Sequence, residues 1–338
     1  MFPVGILNFH FANSFGAVLV AYSLQKVIGS FGYKTQNINF VVPRAEVPSF
    51  IDFREKYLSI SKTPLDAPKL KSNNLFWKRV VVGSDQVWRM FNTNVYMCAW
   101  ASGNKSLISY AASFGKKNYV GKLPKERAKT LLGRFDFISV REDSGVNICK
   151  NDFGVEAVHV IDPTMLLPVK NYDALIDPTA VKPPDKPYVC LAFINIKTDV
   201  IGDNNLFGDF RDNYVLWNAL RDEDGVTREM STWLTSIRDA DYIITDSFHV
   251  TAFSILFNKQ FVSIVKSNGL ARIPSLLNQC GIPLTRIYGD IKDISLKSFE
   301  EKIDYDIVNK MVAKEREKGR LFIKMALAAP PHYKKPVD

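Results

Sequence analysis

Residues 241–257 combine a short β-branched run, a polar turn, a histidine and an apolar segment, in that order. The run Tyr242 to Thr245 is typical of a buried strand, and the segment that follows His249 is typical of a helix. In a parallel α/β sheet this order places His249 at the carboxyl end of a strand and at a helix N-terminus, where backbone N–H groups attract anions. An imidazole there could donate a proton to a phosphorylated substrate; a histidine that only caps the helix is the alternative.

A second polar turn follows the first predicted strand. Asn13 can hydrogen-bond a ligand, and Gly16 allows a ligand to approach the backbone closely. A plain helix cap explains the same residues, because Asn and Ser are preferred capping types.

A third turn follows the apolar run Val80 to Val82. Its tryptophan, Trp88, has a flat face suited to a sugar, and a polar rim precedes it at Ser84, Asp85 and Gln86. A capped turn with a core tryptophan is the alternative interpretation.

Arg141 ends another apolar strand. A buried arginine is costly unless it is paired, and its fork of donors fits a carboxylate or a phosphate. A salt bridge with Glu142 or Asp143 is the alternative.

Composition describes an ordinary globular protein of 338 residues that is 46% hydrophobic and 23% charged. The absence of an 18-residue apolar run and of an N-terminal leader predicts a cytoplasmic protein. Its four cysteines have no CxxC spacing and there are only four histidines, so we expect free thiols and no metal site.

The formal net charge of +9 is compatible with anionic small molecules, an acidic membrane surface or nucleic acid. We expect no nucleic-acid partner, since no helix-turn-helix, zinc-finger or ribonucleoprotein motif is present. Much of the excess lies in Lys310 to Lys324.

Strand-like and helix-like runs alternate along the chain, and this predicts an α/β protein with two doubly wound domains facing a cleft. The predicted strands are 3–9, 33–42, 80–82, 107–112, 136–140, 157–161, 188–194, 242–245 and 261–265. The predicted helices are 17–31, 228–238, 250–257 and 270–279. The expected divisions are an N-terminal domain at 1–165, a Pro-rich linker at 166–187, a C-terminal domain at 188–300, a C-terminal helix at 301–328 and a frayed tail at 329–338.

Five motifs occur in a fixed order: Gly83-Ser-Asp-Gln-Val-Trp, Ile108-Ser-Tyr-Ala-Ala-Ser-Phe-Gly, Ile138-Ser-Val-Arg-Glu-Asp-Ser, Asp162-Pro-Thr-Met-Leu-Leu and Asp246-Ser-Phe-His-Val-Thr-Ala-Phe-Ser. Together with the segment 13–32, they resemble the polysaccharide pyruvyl transferase family over about residues 5 to 325. The resemblance implies a GT-B-like pair of Rossmann-type domains, with the donor site in the C-terminal domain at 188–300 and the helix at 301–328 crossing back. It also implies transfer of pyruvate from phosphoenolpyruvate onto a sugar as a ketal, in capsule, exopolysaccharide or cell-wall glycan synthesis.

Ketal formation protonates the methylene carbon of phosphoenolpyruvate, and His249, which matches the family's histidine, is the expected general acid. Phosphoenolpyruvate is then a co-substrate, and no cofactor or metal is needed. Arg141 matches an arginine expected to bind this donor.

The chain departs from the family pattern beside that histidine. Many members carry an arginine two residues before it, where this chain has Ser247, and most carry a glycine after it, where this chain has Val250. Either Ser247 and the helix N-terminus hold the phosphate, or a cation comes from elsewhere, with Lys266 and Arg272 as candidates. Surface charges are the alternative interpretation of both.

Asp85 is the expected acceptor base, whereas Asp246 could instead orient His249 and raise its pKa. The basic C-terminal helix predicts either docking or contact with anionic lipid headgroups at the inner face of the membrane, which suits a lipid-linked acceptor. A GT-B glycosyltransferase that uses a nucleotide sugar, or a non-catalytic glycan-binding relative, remain alternatives.

Overall fold

Parallel strands joined by helices build both halves of the chain. The structure is a computed structural model that describes residues 2–40, 42, 45–89, 92–196, 206–266 and 271–337. Two units can be distinguished: Met1–Leu167 together with Lys314–Asp338, and Pro168–Ala313. The second boundary falls within the last helix, so the chain returns to the first unit at its end.

The first unit contains one sheet whose strands run in the order β2-β1-β3-β4-β5-β6, all parallel, with β12 antiparallel to the start of β4. The strands are β1 (Val4–Leu7), β2 (Thr35–Asn37), β3 (Arg79–Val82), β4 (Gly103–Ala112), β5 (Phe137–Val140), β6 (Val158–His159) and β12 (His332–Lys334). Valines and other apolar side chains fill β1 and β3 without alternation, as expected for strands that are buried on both faces.

The helices of this unit are α1 (Phe15–Ser30), α2 (Pro48–Tyr57), α3 (Ala67–Ser72), α4 (Thr93–Tyr96), α5 (Lys125–Leu132) and α6 (Asp143–Ile148). Short 3₁₀ turns occur at Asn74–Phe76 and Pro163–Leu166, and a π turn at Cys149–Phe153. Ser14 caps α1 by accepting a hydrogen bond from the backbone N–H of Ala17.

The second unit contains a five-stranded parallel sheet in the order β11-β10-β9-β7-β8. The strands are β7 (Tyr188–Ala192), β8 (Val215–Asn218), β9 (Tyr242–Thr245), β10 (Gln260–Ile264) and β11 (Ile287–Tyr288). The helices are α7 (Lys170–Asp173), α8 (Gly208–Arg211), α9 (Met230–Arg238), α10 (Phe248–Leu256), α11 (Arg272–Gln279) and the start of α12 (Tyr305–Ala328), with 3₁₀ turns at Leu284–Arg286, Ile291–Asp293 and Leu296–Phe299.

Each sheet has one point at which its strand order reverses. In the first unit the chain moves outward from β1 to β2 and then returns to the other side of β1 to form β3. In the second unit the same reversal separates β7 from β9. In open α/β sheets, ligands bind outside the carboxyl ends of the strands at such a point. The loops that follow β1, β3, β7 and β9 are therefore the places where the fold positions a site.

The structure differs from the sequence-based expectations in the tail, in the expected linker and in an edge strand of the second sheet. The segment 329–338, expected to be a frayed tail, instead supplies β12, because Lys334 forms an ion pair with Asp136 at 2.6 Å and is buried. The segment 166–187, expected to be a linker, contains α7 and belongs mostly to the second unit. The strand β8 was not expected, since its run Val215–Asn218 is short and half-exposed. Val41 and Leu270, at the ends of two expected elements, lie outside the described residues.

Candidate active site

His249 lies in the first turn of α10, directly after the carboxyl end of β9, as the sequence predicted. Ser247 caps this helix, since its Oγ accepts a hydrogen bond from the backbone N–H of Val250 at 3.4 Å. The turn is anchored below by Thr245, whose hydroxyl donates to the carbonyl of Ala192 at 2.6 Å and accepts from the N–H of Ser247 at 3.0 Å. His249 is only 9% exposed, and its Nε2 atom is buried.

The carboxylate of Asp246 is bound by the backbone of the loop after β7. It accepts hydrogen bonds from three backbone N–H groups: those of Ile194 at 2.6 Å, Asn195 at 2.6 Å and Ile196 at 3.1 Å. These contacts assign Asp246 to the loop, and the orientation of His249 by Asp246 stays a prediction. Asp246 joins the loop after β7 to the turn after β9, and its hydrogen bonds hold the loop at 194–196 in place.

Lys266 and Arg272, the two candidate cations, follow β10 on the strand's carboxyl side. Lys266 is exposed two residues after the strand ends, and Arg272 is half-buried at the first position of α11. Residues 267–270, which join them, are outside the described part of the chain. Their function in donor binding stays a prediction.

Asp85 lies at the reversal point of the first sheet, directly after β3. Its φ of +81° is in the left-handed region that non-glycine residues rarely adopt. The backbone is held there by pairing with the end of β4, where the N–H of Ser113 donates to the carbonyl of Asp85 at 3.0 Å. The carboxylate remains 18% exposed and accepts the N–H of Gln86 at 2.8 Å. Strain of this kind clusters at functional sites, and the position suits the expected acceptor base.

Arg141 lies beneath Asp85 in the interior of the first unit, with its side chain 1% exposed. Three carboxylates surround its guanidinium: Asp162 at 3.0 Å, Glu142 at 3.5 Å and Asp85 at 3.7 Å. Burial opposes the charge of Arg141, but Glu142, Asp162 and Asp85 together outweigh that effect and raise its pKa. The expected salt bridge with Glu142 is present. Donor binding by Arg141 stays a prediction, and it would require an anion to compete with three carboxylates.

Ser84 belongs to the same buried cluster, since its hydroxyl donates to Asp162 at 3.0 Å. Asp162 also accepts the backbone N–H and the hydroxyl of Thr164. Ser84 is 0% exposed, so it supports Arg141 and Asp85 and presents no hydroxyl to an acceptor. This corrects its expected function in acceptor binding.

Trp88 requires the same correction. It is 0% exposed and packs against Phe114 and Phe135, with its indole N–H donating to the carbonyl of Tyr96 at 3.4 Å. A buried ring has no free face for a sugar, so the core-tryptophan alternative describes it. Gln86 is half-buried, and its side-chain carbonyl is hydrogen-bonded to Arg89.

The turn after β1 presents Asn13 at a half-buried position, with its amide donating to the carbonyl of Ala45 at 2.8 Å. The side-chain oxygen of Asn13 is buried and has no hydrogen-bond partner among the described residues. Gly16 is buried in the first turn of α1, where the backbone of a helix start is the only group it could offer. Both residues stay predicted acceptor contacts.

His10, in the same turn, was not singled out from the sequence. Its Nδ1 lies 3.2 Å from the side-chain oxygen of Asn8, and the residue is 1% exposed. Burial, and secondarily the charge of Arg54, lower its pKa to about 4, so the ring is neutral at neutral pH. No sequence signal marks it, because the contact to Asn8 depends on how the loop folds back.

A cavity of about 600 Å³ lies elsewhere in the second unit, lined by residues of 176–188 and by Arg238, Asp239 and Asp241. Tyr188 begins β7 and Asp241 precedes β9, so this cavity is at the amino ends of the strands, opposite His249. We place the site at the carboxyl ends, because the strand reversal, the helix N-terminus and the histidine coincide there.

Within the described residues, no cluster of three His, Cys, Asp or Glu side chains is arranged to hold a metal ion, and no helix is long and apolar enough to cross a membrane.

The comparisons with known proteins agree with this architecture. The family model for polysaccharide pyruvyl transferase matches residues 15–268, and the chain therefore belongs to that family. Membership identifies a transferase that modifies polysaccharides and uses a sugar or polysaccharide acceptor. No curated protein sequence matched the chain.

Several solved structures are similar in fold at low identity. UDP-GlcNAc 2-epimerase from Neisseria meningitidis has a TM-score of 0.58 at 11% identity, over 97% of this chain and 99% of that one. The wall teichoic acid polymerase TagF has a TM-score of 0.52 at 14% identity, over 96% and 89%. The MnaA–UDP structure from S. aureus has a TM-score of 0.50 at 13% identity, over 99% and 93%. These are GT-B fold proteins, which confirms the expected GT-B-like pair of Rossmann-type sheets.

Proposed function

We propose that this transferase moves pyruvate from phosphoenolpyruvate onto two hydroxyls of a sugar, forming a ketal. The observation that carries the proposal is the position of His249, at the helix N-terminus that follows the reversal point of the second sheet, in a chain of the pyruvyl transferase family. A phosphorylated enol needs an acid beside an anion-binding turn, and Ser247 with the start of α10 provides that turn.

The proposed chemistry has two additions to the same carbon. His249 gives a proton to the methylene carbon, which leaves an oxocarbenium-like centre at C2. One sugar hydroxyl adds to C2 and loses its proton to a base; phosphate then departs with the electrons of its C–O bond. The second hydroxyl adds to C2, loses its proton and closes the ketal. The products are the pyruvylated sugar and inorganic phosphate, and no oxidant or metal is consumed.

Asp85 is the proposed base for the acceptor hydroxyl. Among the three carboxylates around Arg141, the Asp85 side chain is the most exposed to solvent, at 18%, against 0% for Asp162 and 1% for Glu142. Its strained backbone and its support by Arg141 would hold the carboxylate in one position, as a catalytic base requires. In this proposal Arg141 acts by positioning Asp85.

The proposed acceptor is a glycan in capsule, exopolysaccharide or cell-wall synthesis, and a lipid-linked glycan would be modified at the inner face of the membrane. In the first unit, α12 exposes lysines beside apolar side chains, a composition that suits anionic lipid headgroups. The exposed lysines and large apolar residues are Lys314, Lys318, Leu321, Lys324 and Met325, and one acidic residue, Glu317, is exposed among them.

Ligand binding tests the donor directly. Phosphoenolpyruvate at about a hundred times its dissociation constant should stabilise the protein by about 2.7 kcal/mol, a shift that calorimetry or thermal unfolding resolves easily. Uridine diphosphate is the control, because structural neighbours carry UDP or UDP-GlcNAc. Stabilisation by the nucleotide alone would reject the pyruvyl donor in favour of a nucleotide-sugar transferase. Stabilisation by neither ligand, together with glycan binding, would favour a non-catalytic relative.

A further inference from the structure

Arg228 lies at the carboxyl edge of the second unit's sheet, just before α9. Its guanidinium is stacked 3.7 Å from the centre of the Trp217 ring, and its Nε donates to the carbonyl of Asn218 at 2.7 Å. The indole N–H of Trp217 donates in turn to the hydroxyl of Ser236 on α9 at 2.7 Å. The arginine is thus held by two rigid neighbours at the end of β8.

The charge of Arg228 has no acidic partner within 4.0 Å among the described residues, and its two terminal nitrogens make no hydrogen bond there. Asp222 and Glu223 attract the guanidinium only from a greater distance, and desolvation outweighs them and lowers its pKa. A half-buried guanidinium held at its Nε and its planar face, with its terminal nitrogens still available, is suited to a bidentate oxyanion.

The packing of α9 against α10 places Arg228 at the level of His249. Both helices follow parallel strands, so they run in the same direction, and the rings of Trp233 and Phe253 meet at 5.2 Å between them. One helical turn earlier, the corresponding positions are 229 on α9 and His249 on α10. Arg228, one residue before position 229, therefore lies at the same end of the packed helix pair as His249.

The sheet register gives the same result independently. Asn218, whose carbonyl holds Arg228, pairs with Leu191, and Leu191 pairs with Ile244 of β9. These three residues form one row across the sheet, and two strand spacings of about 4.8 Å separate its ends. At the Asn218 end of this row lies the guanidinium of Arg228, which donates to the Asn218 carbonyl. At the Ile244 end, β9 leads into the Ser247–His249 turn.

We propose that Arg228 binds the phosphate of the donor, and that it supplies the cation missing at Ser247. The inference rests on the proposed use of phosphoenolpyruvate. The phosphate would lie between the N-terminus of α10 and the guanidinium, which leaves the methylene carbon toward His249. Lys266 is exposed, whereas Arg228 is held in place by Trp217 and by the carbonyl of Asn218.

Substitution and direct anion binding test this assignment. Arg228→Gln should raise the dissociation constants of phosphoenolpyruvate and of inorganic phosphate by about 10- to 100-fold, with pyruvate binding changed little. Arg228→Lys should recover part of the affinity. Arg221→Gln is the matched control, because it removes an equal charge from the same loop, where Arg221 is exposed and its side chain donates to the carbonyl of Gly225.

Trp217 provides a readout that needs no catalysis and no unstable variant. Phosphate bound to Arg228 should change the fluorescence of Trp217 in the wild-type protein, and Trp217→Phe should abolish that change. A silent Trp217 during phosphate binding would overturn the assignment, as would phosphoenolpyruvate affinity that is equal in Arg228→Gln and wild type. Failure of phosphoenolpyruvate to bind the wild-type protein at all would instead reject the proposed function.

Discussion

The backbone N–H of Asn195 donates to the carboxylate of Asp246 at 2.6 Å, and this contact joins the loop after β7 to the turn after β9. The two loops flank the reversal point of the second sheet. Since Ile194 and Ile196 donate to the same carboxylate, the position of the loop depends on a single side chain.

Asp246→Ala should therefore affect both stability and donor binding. The loss of three charge-assisted acceptor contacts should lower the free energy of unfolding by about 1–3 kcal/mol and weaken phosphoenolpyruvate binding, because the loop at 194–196 loses its anchor. Urea unfolding and calorimetry would measure the two effects. Asp239→Ala removes an exposed carboxylate of the same unit and should cost less than about 1 kcal/mol. Equal behaviour of the two variants would contradict the anchoring function.

His249→Ala should lower kcat by about 10²- to 10⁴-fold, since the proton donor to the methylene carbon is removed. The fold should persist, because Ser247 retains the helix cap. Steady-state kinetics with phosphate release as the signal would show the loss, and thermal unfolding would show the intact fold. His332→Ala, at an exposed position in β12, is the control. A fully active His249→Ala enzyme would exclude the imidazole as the acid.

Arg141→Ala should destabilise the first unit by about 3–5 kcal/mol, because it leaves three buried or half-buried carboxylates without their shared partner. Denaturant unfolding measures this, with Lys129→Ala at an exposed position as the control. If Arg141 bound the donor and had little structural function, the variant would lose phosphoenolpyruvate affinity at nearly unchanged stability. Separating these outcomes decides between donor binding and the positioning of Asp85.

His10 should make the protein sensitive to mild acid. Its pKa is about 4 when folded and 6.5 otherwise, so the unfolded chain takes up a proton first as the pH falls. The stability contribution is complete above pH 6.5 and is lost progressively from there toward pH 4, to a total of about 3 kcal/mol. Urea unfolding at about pH 7.5 and about pH 5 would show the slope. In His10→Asn the slope should be smaller, and an unchanged slope would assign the acid sensitivity to other groups.

Gly319→Ala should disturb the docking of α12 within the first unit. An added Cβ would lie less than 3.0 Å from both the Tyr110 hydroxyl and Leu166, and Tyr110 is itself fixed by its bond to the carbonyl of Ile161. Overpacking of this kind costs about 1–3 kcal/mol. The matched control is Gly29→Ala in α1, which has open space and should gain about 0.5–1 kcal/mol from helix propensity. Thermal unfolding of both variants should shift in opposite directions.

Much of the fold could be predicted from local patterns, because a parallel sheet buries its strands on both faces and leaves apolar runs in the sequence. The run Tyr242–Thr245 was predicted with the boundaries that β9 has, and α1 was predicted within two residues of its observed start. The strands β8, β11 and β12 were not predicted, since short edge strands with half-exposed residues carry no such signal. Their place depends on pairing with distant residues.

The sequence by itself determined that His249 follows a strand and begins a helix, because strand and helix periodicities meet at that residue and both are local properties. Tertiary structure alone decided the surroundings of the other polar residues. Whether Asp246 contacts an imidazole or the loop at 194–196, and whether Arg141 faces solvent or three carboxylates, depends on groups from separate strands. Such contacts form only when the sheet brings strand ends together. They therefore depend on tertiary packing, and no single segment of the chain predicts them.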